Sequence, residues 1–285
     1  MLTRQQAVRE ATVRLENAGI AREDAGQEGR LLTLFALNLS RESLFLAPET
    51  SLTAAEVQAW NTVVVRREQR EPLAYIVGER EFYGLRFRVT PAVLIPRPET
   101  ELLVETALAH VTDRIAPRLV DVGTGSGCIG VAISVHRPDA TVLATDLSVE
   151  ALAVATENVA QNRASVEFCH GDLLEPVGKE PGFHAIISNP PYIAPDEIAR
   201  LQPEVRDWEP PLALGTHPDP LHFYRRLAVE APPYLAPGGM LAVEVGQGQA
   251  AAVRALFAQA GFQNVRSLPD LAGIERVVAG TFSEI

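Results

Sequence analysis

Asn189-Pro190-Pro191-Tyr192 is the stretch of this chain best equipped for chemistry. It follows Phe183–Ser188, an apolar run with the composition of a strand. Proline lacks an N–H and has a fixed φ, so two in succession make a corner that cannot relax and leave nearby carbonyls with few local donors. The corner offers two acceptors a fixed distance apart, the Asn189 side-chain oxygen and the Pro190 carbonyl. A planar –NH2 group could give one hydrogen to each, with Tyr192 as a flat apolar wall beside it. Such a corner is built to hold an amide or amino nitrogen.

Three further features sit at the ends of apolar runs. Asp121-Val122-Gly123-Thr124-Gly125-Ser126-Gly127 follows a first strand and opens a helix. Its glycines allow positive φ and let a ligand approach the backbone closely. The spacing is G-x-G-x-G, not the G-x-G-x-x-G of dinucleotide sites. With no pyrophosphate to cradle, the loop suits a smaller zwitterion, although such turns also arise for structural reasons alone. Asp146 closes a second strand, where a carboxylate can accept both hydroxyls of a ribose. The alternative is a cap for the following helix, a role Ser148 fills better. Asp172, in Gly171-Asp172-Leu173-Leu174 after a third strand, either accepts from an adenine amino group, with Leu173 against the ring, or shapes a turn. In this order on one sheet, the carboxylates and glycines describe a nucleoside with an amino-acid tail, S-adenosyl-L-methionine, and the Asn189 corner then faces its methyl group.

The elements that must position these groups fall into three stretches. Residues 1–75 read as a small helical bundle. Thr3-x-x-Gln6 and Thr53-x-x-Glu56 are capping boxes, the first opening a helix with Ala7, Ala11, Val13 and Leu15, the second one with Val57, Trp60, Val63 and Val64. Between them lie a helix near Asp24–Leu39 and a short one capped by Ser40. Helices this short need each other's apolar faces. Residues 76–97 contain Glu81–Val89, which has strand composition around Gly84 and reads as a hairpin linker. Residues 98–285 open with a helix through Leu108 and then alternate. Strands are expected at 118–122, 141–145, 166–169, 184–188, 239–245, 263–267 and 275–281. Helices are expected at 127–135, 148–161, 195–203, 220–234 and 249–260. The alternation predicts an α/β fold with a doubly wound sheet, on which ligands bind at the carboxyl ends of the strands.

Composition narrows the function. The chain has 285 residues, 47% of them hydrophobic, enough for two modest domains with packed cores. Net charge is −11, and it is uneven: residues 1–80 carry 10 Arg against 11 acidic residues, residues 81–285 carry 15 basic against 25 acidic. An acidic catalytic half repels phosphate backbones, so no direct nucleic-acid substrate is expected. No apolar run is long enough for a membrane span. Met1–Glu10 reads as an amphipathic helix, not a signal peptide. Cys128 and Cys169 read as buried apolar residues of a cytoplasmic chain. The 6 histidines show no metal-ligand spacing, and the serines form no nucleophile elbow. Arg66, Arg67 and Arg70 read as a solvated helix face, with a partner contact as the minor alternative.

At this point the chain resembles the PrmC/HemK family, the protein-(glutamine-N5) methyltransferases that act on class I peptide chain release factors. The resemblance spans essentially the whole chain. It rests on Glu71–Gly78, Phe82-Tyr83-Gly84, Leu94–Glu101, the Gly123–Gly127 loop, Asp146, Asn189–Tyr192 and Glu244-Val245-Gly246, with Ile95–Glu101 the most discriminating piece. It implies a Rossmann-like catalytic domain that methylates the glutamine of a Gly-Gly-Gln motif, and an N-terminal helical domain that engages the release factor. It also implies cofactor contacts at Gly123, Thr124, Gly125, Ser126, Gly127, Asp146, Asp172 or Leu173, and Asn189, with substrate contacts at Asn189, Pro190, Pro191 and Tyr192. The chain departs from the family pattern in two places. In Glu209–Pro220, Thr216, His217 and Pro220 stand where the family has glycines, which stiffens the loop. An aromatic beside the third-strand acid is replaced by Leu173, so adenine packing is expected to be aliphatic.

An amide nitrogen is a poor nucleophile because its lone pair is delocalised into the carbonyl. Asn189 and the Pro190 carbonyl would each accept one N–H and aim that nitrogen at the methyl group, through hydrogen bonds that strengthen as the nitrogen gains positive charge. Two other readings compete. An adenine-N6 nucleic-acid methyltransferase could use the same corner, against which stand the acidic half and the absence of a basic recognition domain. An inactive adaptor would have no use for the intact loop, Asp146 and Asn189.

Overall fold

The computed structural model describes residues 1–178, 182–215 and 217–283. Thr216, one of the loop positions singled out above, lies outside them. The chain forms two compact units, one of Met1–Gly78 with Gln202–Trp208 and one of Glu79–Leu201 with Glu209–Ile285. Among the described residues no helix is long and apolar enough to cross a membrane.

The first unit contains α1 (Arg4–Asn17), α2 (Arg22–Ala36), α3 (Arg41–Leu46), α4 (Ala54–Glu68) and α5 (Leu73–Val77). Both capping boxes are complete: Thr3 and Thr53 accept from the N3 amides, and the Gln6 and Glu56 side chains reach back to the cap amides. Ala7, Ala11, Leu15, Leu32, Trp60 and Val64 form the core. Val13, expected among them, is exposed, because at 3.6 residues per turn it leaves the Ala7–Ala11–Leu15 stripe. The Trp60 indole donates to Thr33 Oγ1 at 3.2 Å, which satisfies its only polar atom inside the core.

The three arginines expected to be solvated are instead all in ion pairs. Arg67 is buried, with Glu28 at 2.7 Å and Glu204 at 2.9 Å. Arg70 holds both oxygens of Glu204 at 2.7 Å, and Arg66 pairs with Glu71 at 2.6 Å. Glu204 comes from the 202–208 segment, so this distant piece of chain is clasped into the helical unit by charge.

The second unit begins with the hairpin of β1 (Glu79–Phe82) and β2 (Leu85–Arg88), turned at Tyr83 and Gly84 with φ of 51° and 72°. A 3-10 turn over Pro98–Thr100 leads into α6 (Glu101–His110). There follow β3 (Arg118–Val122), α7 (Cys128–His136), β4 (Thr141–Asp146), α8 (Val149–Asn162), β5 (Val166–His170) and β6 (Phe183–Ser188). The helix expected at 195–203 is instead two single turns, α9 (Pro195–Ile198) and α10 (Pro203–Arg206), the second lying in the 202–208 segment of the first unit; a third, α11 (Pro211–Leu214), follows. Proline opens each of them and favours extended backbone in the residue before it, so no turn can run into the next. The chain ends with α12 (His222–Glu230), β7 (Leu235–Glu244), α13 (Ala250–Gln259), β8 (Gln263–Pro269) and β9 (Glu275–Phe282).

The seven strands order as β5-β4-β3-β6-β7-β9-β8. Pairing is parallel from β5 to β7, and β9 runs antiparallel to both its neighbours. Successive residues of the central strands enter opposite cores. Leu119, Ala185, Met240 and Ala242 pack with α6 and α7. Val120, Ile186, Leu241 and Val243 pack with α12 and α13. Burial on both faces explains why these strands read as continuous apolar runs. The hairpin is pinned to the sheet unit by Asn158 of α8, whose side chain accepts from Arg88 N at 2.7 Å and donates to the Arg88 and Ser126 carbonyls at 3.0 and 2.8 Å. The sheet therefore presents the carboxyl ends of β3, β4, β5 and β6 side by side.

Candidate active site

The glycine loop leaves the end of β3 and is held from both sides. Gly123 and Thr124 donate their N–H groups to the Thr145 carbonyl at 2.8 and 2.9 Å. Below it, the fully buried Asp121 accepts from Thr124 Oγ1 at 2.6 Å and from Gly130 N at 3.0 Å through Oδ2, while its Oδ1 has no partner. Burial pushes the Asp121 carboxyl up to about 6 against those two hydrogen bonds. Gly123 and Gly125 have φ of 71° and 55°, and a Cβ on either would project into open space. The loop thus keeps its backbone bare on the side facing the strand ends.

Asp146 closes β4 and ties the loop to the next helix. Its Oδ2 accepts from Gly125 N and its Oδ1 from Ser148 N, both at 2.8 Å. Ser148 itself caps α8 by accepting from Ala151 N at 3.1 Å, so Asp146 is not the helix cap. Burial raises the Asp146 pKa above its ordinary value, with the backbone N–H groups of Ser148 and Gly125 opposing. Each oxygen keeps acceptor capacity for a further donor. After β5, Leu173 has φ of 46° and its carbonyl accepts from Thr145 Oγ1 at 2.8 Å. Asp172 Oδ2 is gripped by Arg226 of α12 at 2.7 Å, leaving Oδ1 as its unengaged acceptor.

At the end of β6, Ser188 Oγ donates to the Val122 carbonyl at 2.8 Å and fixes the strand end against β3. Asn189 donates from Nδ2 to Thr100 Oγ1 at 3.3 Å. No described residue donates to Asn189 Oδ1 or to the Pro190 carbonyl. Thr100 in turn donates to Glu244 Oε2 at 2.5 Å, and Tyr192 donates its phenol to Glu244 Oε1 at 3.4 Å. Burial raises the pKa of both Glu244 and Tyr192.

These features enclose a cavity of about 330 Å³, within the range that takes a small-molecule ligand. Ten of the twelve residues singled out in the sequence line it; Gly127 and Tyr192 do not. Gly127 lies against Ala155, where a Cβ would come within 3.1 Å, so close packing on α8 itself calls for glycine there. Tyr192 stands behind the corner, its carbonyl accepting from Gln249 Nε2 at 3.0 Å. Sequence reasoning passed over Thr100, Leu147 and Phe223, which also line the cavity. Phe223 adds an aromatic wall, so the lining is not wholly aliphatic. Cys128 also lines it, but burial pushes its thiol up to about 12, far from a nucleophile. No group of three His, Cys, Asp or Glu among the described residues is arranged to hold a metal ion.

A bare glycine loop, acidic residues ending β4 and following β5, and an acceptor corner after β6, on a sheet with one antiparallel strand, define an S-adenosylmethionine-dependent methyltransferase. Residues 98–201 match the family model for the methyltransferase small domain, and residues 6–78 that for the PrmC N-terminal domain. The chain is 44% identical over 258 residues to the release factor glutamine methyltransferase of Geobacter sulfurreducens, covering 90% of each chain. It is 41% identical over 283 residues to that of Caulobacter vibrioides, covering 98% of this chain and 96% of the relative. It belongs to the release factor glutamine methyltransferase family. A solved methyltransferase from Pyrococcus furiosus, 17% identical, shares the fold with a TM-score of 0.51 over 71% of this chain and 91% of that one. S-adenosylmethionine is the cofactor, and the cavity fits it: bare backbone for a charged tail, free carboxylate acceptors for hydroxyl and amino groups, apolar walls for a base.

Proposed function

We propose that the enzyme transfers a methyl group from S-adenosylmethionine to the N5 amide nitrogen of the glutamine in the Gly-Gly-Gln motif of class I peptide chain release factors. The observation that carries this reading is the corner after β6: Asn189 and Pro190 line the cavity, and no described residue donates to Asn189 Oδ1 or to the Pro190 carbonyl. Two fixed acceptors match the two hydrogens of a primary carboxamide. The glycine loop from Gly123 to Gly127 would hold the amino-acid tail, Asp146 the ribose hydroxyls, and Asp172 with Leu173 the adenine. The helical unit would engage the release factor.

Bound cofactor supplies an electrophilic methyl on a sulfonium. The chain's own groups do the rest by holding the amide. Asn189 and Pro190 accept its two N–H bonds and fix the direction of its nitrogen lone pair. As the N–C bond formed and the sulfonium's S–C bond broke to leave a neutral thioether, the nitrogen would become cationic and its hydrogens better donors, so both hydrogen bonds would strengthen in the transition state. One proton then passes to water, leaving the neutral N-methyl amide. No general base is required, because the neutral amide is far too weak an acid to be deprotonated first.

The test is mass spectrometry of purified release factor incubated with the enzyme and S-adenosylmethionine. One added methyl on the Gly-Gly-Gln peptide is expected. An unmodified peptide, or labelled methyl appearing in DNA instead, would overturn the assignment.

A further inference from the structure

The sequence carries two segments that the reaction as derived leaves without a task, the turn containing Thr100 and the end of β7 containing Glu244. They meet behind Asn189. Thr100 and Glu244 are both buried, each 3% exposed, so no bulk water can replace their partners. The Thr100 hydroxyl has one proton and sits 2.5 Å from Glu244 Oε2. A carboxylate can only accept. With Glu244 ionised, the proton points at it, and Thr100 faces Asn189 with a lone pair. The only group of Asn189 that can meet that lone pair is its –NH2, at 3.3 Å. The amide oxygen is then turned the other way. Tyr192 spends its phenol proton on the second Glu244 oxygen, which keeps that carboxylate an acceptor on both sides.

We propose that Thr100 and Glu244 are positioning residues that set the hydrogen-bond polarity of Asn189, so that its oxygen and never its –NH2 is offered to the substrate amide. The proposal rests on the glutamine-methylation reading above. An Asn side chain is nearly symmetric in shape, and either end could face the cavity. With –NH2 outward it would confront the substrate –NH2 donor to donor. The relay removes that alternative through the direction of the Thr100 proton.

The experiment compares Thr100→Val, Thr100→Ser and Glu244→Gln with the wild type in methylation of intact release factor. Thr100→Val keeps the shape and strands the Asn189 –NH2 against a methyl group. The amide then favours the outward turn, and kcat falls about tenfold. Kd for S-adenosylmethionine is expected to stay near wild type, because the Asp146 and Asp172 acceptors do not depend on which end of Asn189 faces the cavity, and KM for the release factor is expected to change less than kcat, because the hydrogen bonds to Asn189 strengthen in the transition state. Thr100→Ser restores the hydroxyl and recovers most of the loss. Glu244→Gln can donate as well as accept, so polarity is no longer enforced and kcat falls by a smaller factor. Equal kcat in Thr100→Val and wild type, a Thr100→Ser variant as poor as Thr100→Val, or a parallel loss of cofactor binding would each overturn the proposal. Should the wild type itself fail to methylate release factor, the reaction assignment falls, and the relay is judged on the Asn189 side-chain amide by nuclear magnetic resonance. Slow –NH2 hydrogen exchange in wild type and Thr100→Ser but fast exchange in Thr100→Val supports the relay; equal exchange in all three refutes it.

Discussion

Replacing Asn189 by Ala separates what this residue does for the fold from what it does for the reaction. Within the described structure its side chain makes one hydrogen bond, 3.3 Å to Thr100. A single neutral bond of that kind contributes about 1 kcal/mol to stability, so folding should be barely affected. In the proposed reaction the lost group is one of two preorganised acceptors for a nitrogen that becomes cationic. Deleting one such partner raises the barrier by about 2.7–4 kcal/mol, which converts to a kcat roughly 100- to 1000-fold lower. Asp146 and the glycine loop make no hydrogen bond to Asn189, so cofactor affinity should hold. The assay is initial-rate methyl incorporation at saturating release factor and cofactor, with calorimetry of S-adenosylmethionine on the same preparation. A variant within threefold of wild-type kcat, or one whose loss is matched by a weaker cofactor Kd, would refute the assigned role.

Asp146→Ala strips two backbone N–H groups of their acceptor and removes the proposed ribose acceptor; calorimetry should read a cofactor Kd about 10- to 100-fold weaker, with kcat at saturation little changed. The positioning role of Glu244 requires its carboxylate form, while burial raises its pKa above 4.5. Thr100 and Tyr192 donate to it, and it feels Glu99 as a further raising charge and Arg276 as a lowering one. Protonation would let Glu244 donate to Thr100 and reverse the relay, so kcat should fall as pH drops through a value above 4.5; a pH–kcat profile flat down to 4.5 counts against this. Arg67→Met strands Glu28 and leaves Glu204 to Arg70 alone; breaking a buried pair costs about 3 kcal/mol, which thermal unfolding should register as a lower midpoint for the helical unit, without change in cofactor affinity.

The parts of the site legible in the sequence are those whose chemistry is local. The Gly123–Gly127 loop and Asn189 each follow a strand whose burial makes it a plain apolar run, and Asp146 and Asp172 lie at the ends of the next strands along, so the strand ends marked the site. Thr100 and Glu244 lie in stretches that carry the resemblance, yet their link was not legible because it spans 144 positions. The same holds for Arg70, read as solvated because Glu204 lies 134 positions further on. The single-turn helices after the corner lack periodicity altogether, since proline restarts the backbone every few residues. The five-residue helix at Leu73–Val77 is likewise too short to carry a pattern.

The clasp on Glu204 has a consequence for how the molecule is made. A nascent chain that has emerged only as far as Gly78 holds helices α1 to α5 and the Arg67–Glu28 pair, yet the Glu204 carboxylate that Arg67 and Arg70 share is still missing. That carboxylate arrives after most of the parallel strands have been synthesised. The amino-terminal bundle is thus finished late, by a piece of sequence from beyond the middle of the gene product, and an expression fragment cut after residue 78 would keep the Arg67–Glu28 pair but leave Arg70 without its carboxylate.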